Sequence, residues 1–117
     1  MISETKRRIL AAACGLEWHE WPYCDIETPN RDFDSPEDWE LVRVNVVVPH
    51  LNAFCAYAAH IVKSPIPYGD IVVAFEWWLT KSPEECCEIA ADFILANLSL
   101  FPDEVQEKIK EIMGAGK

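Results

Sequence analysis

The chain has 117 residues and half of them are hydrophobic, which predicts one compact domain with a packed core and excludes a largely disordered protein. Twenty acidic residues against ten basic ones give a formal net charge of -10. Such a surface repels nucleic acid and anionic membranes, because binding phosphate requires Lys or Arg. It attracts basic protein surfaces and speeds association with them.

The cysteines and the apolar runs indicate the compartment. There are five cysteines, an odd number, and the first ten residues lack the long apolar stretch of a signal peptide. The longest apolar runs are much shorter than a membrane span. We therefore expect a cytoplasmic protein whose cysteines are reduced and mostly serve as small core residues.

The N-terminal segment has the signals of a helix. Ser3 is a suitable N-cap, a partial apolar stripe follows, and Gly15 is a typical stop signal after a helix that ends near Cys14.

A long acidic loop is predicted next, over residues 24–38. The stretch 21–40 holds seven carboxylates against one base, Arg31, and three prolines. Six of these carboxylates lie in the predicted loop: Asp25, Glu27, Asp32, Asp34, Glu37 and Asp38. Within it, Ser35 and Pro36 resemble the N-cap and first position of a helix, from which we expect at most one turn.

Two strands and an intervening helix are predicted in the middle of the chain. Residues 40–48 alternate, with four valines on one face, which is typical of a half-buried strand. Residues 51–62 carry apolar side chains at helical spacing. Residues 70–79 alternate again, with a second face too apolar for full exposure, and a third strand is expected from residues 17–28 or from another copy of the chain.

Two helices are predicted at the C-terminal end. Ser82, Pro83 and Glu85 form a capping-box pattern that starts a helix running to about Asn97. A last helix is expected to begin near Pro102, and residues 114–117 are expected to fray. The sequence therefore predicts an α+β fold, a single compact domain in which a small antiparallel sheet of two or three strands packs with about four helices.

Four segments together resemble a known family. They are Ala11–Trp18 (AAACGLEW), Val48–Ala53 (VPHLNA), Phe75–Trp78 (FEWW) and Ser82–Ala90 (SPEECCEIA). In this order they resemble a family of small phage and prophage proteins, some of which are grouped as the phage "ABA sandwich" domain. The resemblance implies two helical layers around a small sheet, and it implies no activity or catalytic residues.

Residues suited to chemistry occur without a spacing that chemistry requires. His19, Cys24, His50 and His60 offer metal ligands, but no C-x2-C or H-E-x-x-H pattern is present. Cys86 and Cys87 lie among acidic residues, which raise a thiol pKa, so packing is favoured over redox work. His19 between two tryptophans suits a structured turn better than a ligand site. We predict no catalytic residue, no metal and no cofactor.

The acidic residues are the remaining candidate site. A row spaced four apart on the helix after Ser82 adds to the loop. The predicted partner-binding residues are Asp25, Glu27, Asp32, Asp34, Glu37, Asp38, Glu84, Glu88 and Asp92. They predict a non-enzymatic protein that binds a basic surface of another protein. In the phage setting that the resemblance implies, this partner is a nucleic-acid-binding host protein, and the phage-encoded chain is a counter-defence inhibitor or nucleic-acid mimic. A homodimeric structural accessory protein and a small divalent-metal-dependent enzyme that uses the loop carboxylates remain as alternatives.

Overall fold

Helices form the regular structure of the computed structural model, which describes residues 2–18, 30–62 and 81–115. A π-helical segment, Arg43–Val47, and a 3₁₀ turn, Val48–His50, connect the second helix to the third. A further 3₁₀ turn spans Leu98–Leu100. The α-helices are α1 (Glu4–Ala13), α2 (Pro36–Val42), α3 (Leu51–Val62), α4 (Pro83–Ala96) and α5 (Asp103–Ala115).

The predicted α+β fold is wrong. The described ranges contain no strand, and residues 40–48, expected to form the first strand, are helical throughout. The predicted strand at 70–79 lies outside the described residues, as do residues 19–28 of the proposed third strand. The sheet that the family resemblance implies is therefore missing from the part of the chain that the structure describes.

The valines of residues 42–48 explain the wrong prediction. Residues two apart along the chain share one face of a strand. In a helix, residues four apart share a face, and residues two apart lie on opposite sides. Val42 and Val46 are fully buried, whereas Val44 and Val48 are 52% and 54% exposed. The alternation that suggested one strand face therefore belongs to two faces of a helix that starts at Ser35, where the sequence correctly predicted a start, and continues past its first turn.

Pro49 interrupts this long helix without ending it. Proline lacks the N–H that would bond to the carbonyl four residues earlier, and its ring crowds that carbonyl. The chain widens to π geometry just before Pro49, so that the Val48 N–H donates to the Arg43 carbonyl. The side chain of Asn45 donates to the carbonyl of Leu41 at 2.8 Å in the same region. We call Pro36–Val62 the interrupted helix; local changes of winding at a proline are a usual cause of such irregularity.

The helix starts agree with the sequence. Ser3 accepts a hydrogen bond from the Lys6 backbone N–H at 3.3 Å, and Ser82 accepts one from that of Glu85 at 3.2 Å. Both caps and the stop at Gly15 are confirmed, and Gly15 has φ of 73°, which favours glycine. These local signals were readable because each satisfies backbone groups within a few residues of the chain.

The core forms around α4, against which α1 and the interrupted helix pack, while α5 packs on α1. On α4, Ala90, Phe93 and Ile94 are fully buried. The Phe93 ring lies 5.3 Å from that of Phe54 in α3 and 6.4 Å from that of Phe101. The described helices share one hydrophobic cluster and form a compact globule.

One segment of the interrupted helix has the length and composition of a membrane span. Pro36–Ala58 has 23 residues with a mean hydropathy of 1.2 over its most apolar window, and 33% of that window is buried. Its fully buried Val42, Val47 and Phe54 belong to the shared core. A core helix passes the same test of length and composition.

Candidate functional site

A buried phenylalanine anchors the described part of the predicted acidic loop. Phe33 is fully buried and has φ of 55°. A non-glycine residue in this region costs of order 1–3 kcal/mol, which burial of the ring offsets. Asp32 and Asp34, on either side of it, are exposed. The described part of the loop is therefore held by Phe33 and presents a carboxylate on each side of it. Asp25 and Glu27 lie outside the described residues.

The end of the predicted loop is the first turn of α2. Ser35 accepts a hydrogen bond from the Asp38 backbone N–H at 3.2 Å, and Pro36 takes the first helical position. Glu37 and Asp38 lie in the first turn, where negative charge is favourable beside the helix dipole. Glu37 is exposed, whereas Asp38 is buried.

Asp38 is paired inside the fold. Its Oδ1 accepts a hydrogen bond from Arg31 Nη1 at 2.7 Å, and its side chain is 8% exposed against 46% for that of Arg31. A buried carboxylate requires such a partner, because removing its charge from water is costly. Among the predicted loop carboxylates that the structure describes, Asp38 is thus buried, whereas Asp32, Asp34 and Glu37 are exposed.

Helix α1 connects the two predicted acidic groups. Lys6 Nζ lies 3.1 Å from Glu88 Oε1 and 3.1 Å from Asp92 Oδ1 on α4. The next residue, Arg7, lies 3.3 Å from Asp32 Oδ1 of the loop. The two acidic groups therefore both meet the first turns of α1, at neighbouring residues that project about 100° apart. The sequence did not identify these cations.

Lys6 gives Glu88 and Asp92 on α4 a structural role. Burial lowers the pKa of Lys6, but hydrogen bonds from Lys6 to Asp92 and Glu88 outweigh this effect and raise its pKa above the usual 10.5. Like charges four residues apart repel by a few tenths of a kcal/mol, and a cation between them offsets that repulsion. Glu88 and Asp92 therefore dock α1 on α4 while staying 45% and 39% exposed. Glu84, in the same row, is half-buried.

Most described cations are engaged in ion pairs within the chain. The cations with carboxylate partners are Lys6, Arg7, Arg8, Arg31, Arg43 and Lys81. The exposed acidic residues include a row that sequence reasoning missed, Glu104, Glu107 and Glu111 on α5. Their spacing of three and four residues was the available signal. The described surface is consequently richer in free carboxylates than in free cations.

The exposed carboxylates around the start of α2 form what we call the acidic face: Asp32, Asp34, Glu37 and Glu40. Asp32 and Glu40 are 67% and 70% exposed, and their partners among the described cations are Arg7 and Arg43. The Glu40–Arg43 separation of 3.8 Å is long for an ion pair between exposed side chains. These residues keep their charge accessible to another molecule.

Trp18 separates two open clefts. Arg7 and Arg8 stack over its ring, with guanidinium carbons 5.9 and 5.3 Å from the ring centre. One cleft, of about 700 Å³, is lined in part by Arg8 and Lys108. The other, of about 660 Å³, is lined in part by Arg31 and Asp34. His19 and Trp21, which the sequence grouped with Trp18, lie outside the described residues.

The described cysteines have free thiols. Cys55, Cys86 and Cys87 are buried, and Cys14 is half-buried. Burial raises the pKa of the Cys14 thiol to about 12, against the lowering effect of Arg31. Burial and then the Glu85 carboxylate raise the pKa of Cys86 to about 11, and burial and then Asp38 raise that of Cys87 to about 12. Such thiols are protonated at neutral pH and are poor nucleophiles.

The raised pKa values of these thiols predict that the protein loses stability at alkaline pH. Their pKa is raised on folding, so the stability they contribute is present below about pH 9 and is lost as pH rises toward 12. We expect the melting temperature to fall between pH 9 and pH 11 more steeply in the wild type than in a variant with Cys14→Ala and Cys87→Ala. The pKa values of Lys6 and Tyr57 are also raised, but both residues are present in the wild type and the variant. Their contribution to the fall in melting temperature is therefore the same in the two proteins. Equal slopes in the two proteins would contradict this prediction.

Among the described residues, no group of three or more His, Cys, Asp or Glu side chains is placed to hold a metal ion. His50, one of the ligands considered from the sequence, packs its ring 4.7 Å from that of Phe101. Comparison with protein-family models, curated proteins and solved structures found no match. The resemblance to the phage sandwich family therefore stays a prediction.

Proposed function

We propose that this protein is a non-enzymatic binding protein that presents its acidic face to a basic surface of another protein. The observation that carries the proposal is the distribution of charge: the described cations are mostly paired within the chain, while Asp34 and Glu37 face solvent beside Asp32 and Glu40. A carboxylate surface of this kind increases the association rate with a cationic partner.

The partner chemistry follows from the charge. Closely spaced carboxylates resemble a row of phosphates, so a Lys- and Arg-rich nucleic-acid channel is the complementary surface. In the phage setting that the resemblance implies, this partner is a host nucleic-acid-binding protein such as a defence nuclease, and the protein acts in the bacterial cytoplasm as its inhibitor.

The structure changes which predicted residues carry this proposal. Asp34 and Glu37 become its centre, because Asp38 is buried against Arg31 and both Glu88 and Asp92 are bridged by Lys6. Glu88 and Asp92 contribute to the electrostatic field of the protein, and both also hold α1 through Lys6.

The test asks whether binding depends on the charges of the acidic face or only on the net charge of the protein. The full chain is immobilised and exposed to bacterial lysate at about 50 mM and about 200 mM salt, and bound proteins are quantified by mass spectrometry. We expect capture of nucleic-acid-binding proteins that falls steeply with salt and that added duplex DNA displaces. The variant with Asp34→Asn and Glu37→Gln should bind roughly tenfold more weakly, about 0.7 kcal/mol for each charge.

The control has the same change of net charge on another helix. A variant with Glu107→Gln and Glu111→Gln should retain most of the binding, since both residues are exposed on α5. Far-ultraviolet circular dichroism checks that all three proteins are folded. Equal capture by the wild type and the Asp34/Glu37 variant at both salt concentrations would show that the acidic face is not the binding surface.

A further inference from the structure

The interrupted helix carries an apolar stripe that the described structure leaves uncovered. Val44, Val48 and Leu51 are 52%, 54% and 45% exposed. Their spacing of four and three residues places them on one face of a helix. No Asp, Glu, Lys or Arg occurs between residues 44 and 62, so the sequence places none of these charged side chains beside the stripe. Contiguous exposed apolar residues of this kind mark interaction surfaces.

The stripe is continuous with the acidic face. Glu37 and Glu40 precede Val44 by seven and four residues on the same helix, and both are exposed. The helix face therefore changes along its length from carboxylates to branched apolar side chains. We call this face, formed by Glu37, Glu40, Val44, Val48 and Leu51, the docking strip. At 1.5 Å per residue it extends for about 20 Å, the length of a helix of about four turns.

Charge decides between the possible occupants of the strip. Anionic lipid is repelled by a protein with a net charge of -10. A second copy carries the same charge, and in a parallel pairing its acidic end would face an identical acidic end. A helix with an apolar ridge and with Lys or Arg toward one end complements both parts of the strip. The opposite face of the interrupted helix, with Val42 and Val46, is already in the core.

We propose that the docking strip binds an amphipathic helix of a partner protein whose apolar ridge covers Val44, Val48 and Leu51 and whose basic end meets Glu37 and Glu40. This proposal rests on the proposed function for its acidic end and adds the apolar contact and the shape of the partner. Apolar burial at the strip slows dissociation, while the carboxylates accelerate encounter.

The probe is a synthetic helical peptide of about 15 residues, with leucines along one face and lysines at one end. Its binding to the full chain is measured by isothermal titration at about 50 mM and about 200 mM salt. We expect one peptide per chain. Val48→Asn with Leu51→Gln should weaken binding at least roughly tenfold and leave its salt dependence unchanged. The matched control is Leu100→Gln with Met113→Gln, which removes two apolar residues, 43% and 45% exposed, elsewhere and should bind like the wild type.

The charge variant separates the two proposals. Asp34→Asn with Glu37→Gln should reduce the salt dependence of peptide binding. If this variant weakens binding and the Val48/Leu51 variant does not, the docking strip is wrong and the acidic face stands. If only the Val48/Leu51 variant weakens binding, the acidic face is wrong and the apolar contact stands. No peptide binding, or an equal loss in the Leu100/Met113 control, overturns the docking strip.

Three measurements assign the strip to another occupant, and each would overturn the proposal. Light scattering that shows a wild-type dimer and a monomeric Val48/Leu51 variant assigns it to a second copy. Flotation of the wild type with phosphatidylcholine vesicles, lost in that variant, assigns it to a lipid surface. The melting temperatures of the Val48/Leu51 variant and the Leu100/Met113 control are also compared. If that of the Val48/Leu51 variant is lower by more than about 4 °C, the strip is assigned to packing within the chain.

Discussion

Replacing Phe93 with alanine should lower the free energy of unfolding by about 3–5 kcal/mol, a large share of the stability of an ordinary domain. Phe93 is fully buried on the central helix α4. Its ring lies 5.3 Å from Phe54, 5.7 Å from Tyr57 and 6.4 Å from Phe101, so one side chain joins three parts of the chain. Its removal leaves a cavity and ends these aromatic contacts.

Urea denaturation followed by far-ultraviolet circular dichroism measures this loss. Phe93→Leu keeps most of the apolar volume and should lose less stability than Phe93→Ala. Leu100→Ala, at a residue that is 43% exposed, should change stability by less than about 1 kcal/mol. If Phe93→Ala were as mild as Leu100→Ala, the packing of α3 on α4 would be wrong.

Val46→Asn should lower the free energy of unfolding by about 3–5 kcal/mol, whereas Val44→Asn should change it by about 0.5 kcal/mol or less. Val46 is fully buried in the hydrophobic core, where a polar amide is costly, while Val44 is 52% exposed. The two substitutions exchange the same residue types two positions apart in the same helical segment, so differences in helix propensity largely cancel.

This pair of variants also tests the helix against the strand that the sequence suggested. In a strand, Val44 and Val46 share one face, and the two substitutions would cost similar free energies. Urea denaturation of both variants gives the comparison. A loss that is equal within error in the two variants would contradict the helical assignment of residues 43–47.

The sequence predicted the helix starts and the helix at residues 51–62 correctly, and it predicted residues 40–48 wrongly. Ser3, Gly15 and Ser82 act through hydrogen bonds and backbone conformations within a few residues, so their effect does not depend on the rest of the fold. The valines of residues 42–48 satisfy both a strand pattern and a helix pattern. Here packing against α4 decides, because it buries Val42 and Val46 together.

The candidate site shows the same division. Composition identified the excess of carboxylates, and Asp34 and Glu37 are exposed as a binding site requires. Sequence spacing did not reveal that Asp38 pairs with Arg31 or that Lys6 bridges Glu88 and Asp92, contacts that join residues up to 86 positions apart. It also did not reveal the exposed stripe at Val44, Val48 and Leu51, since alternation assigned Val44 and Val48 to a buried face.

The amino-acid sequence alone sets the charge of this protein, its capacity for a packed core and the residues at which α1, α2 and α4 begin. These properties depend on composition or on neighbours along the chain. Packing between distant segments determines the rest. It makes residues 36–62 one interrupted helix, and it sets which carboxylates stay at the surface and which valines are exposed. The physical reason is that burial and ion pairing depend on where distant segments meet, and one pattern of residues is compatible with more than one such arrangement.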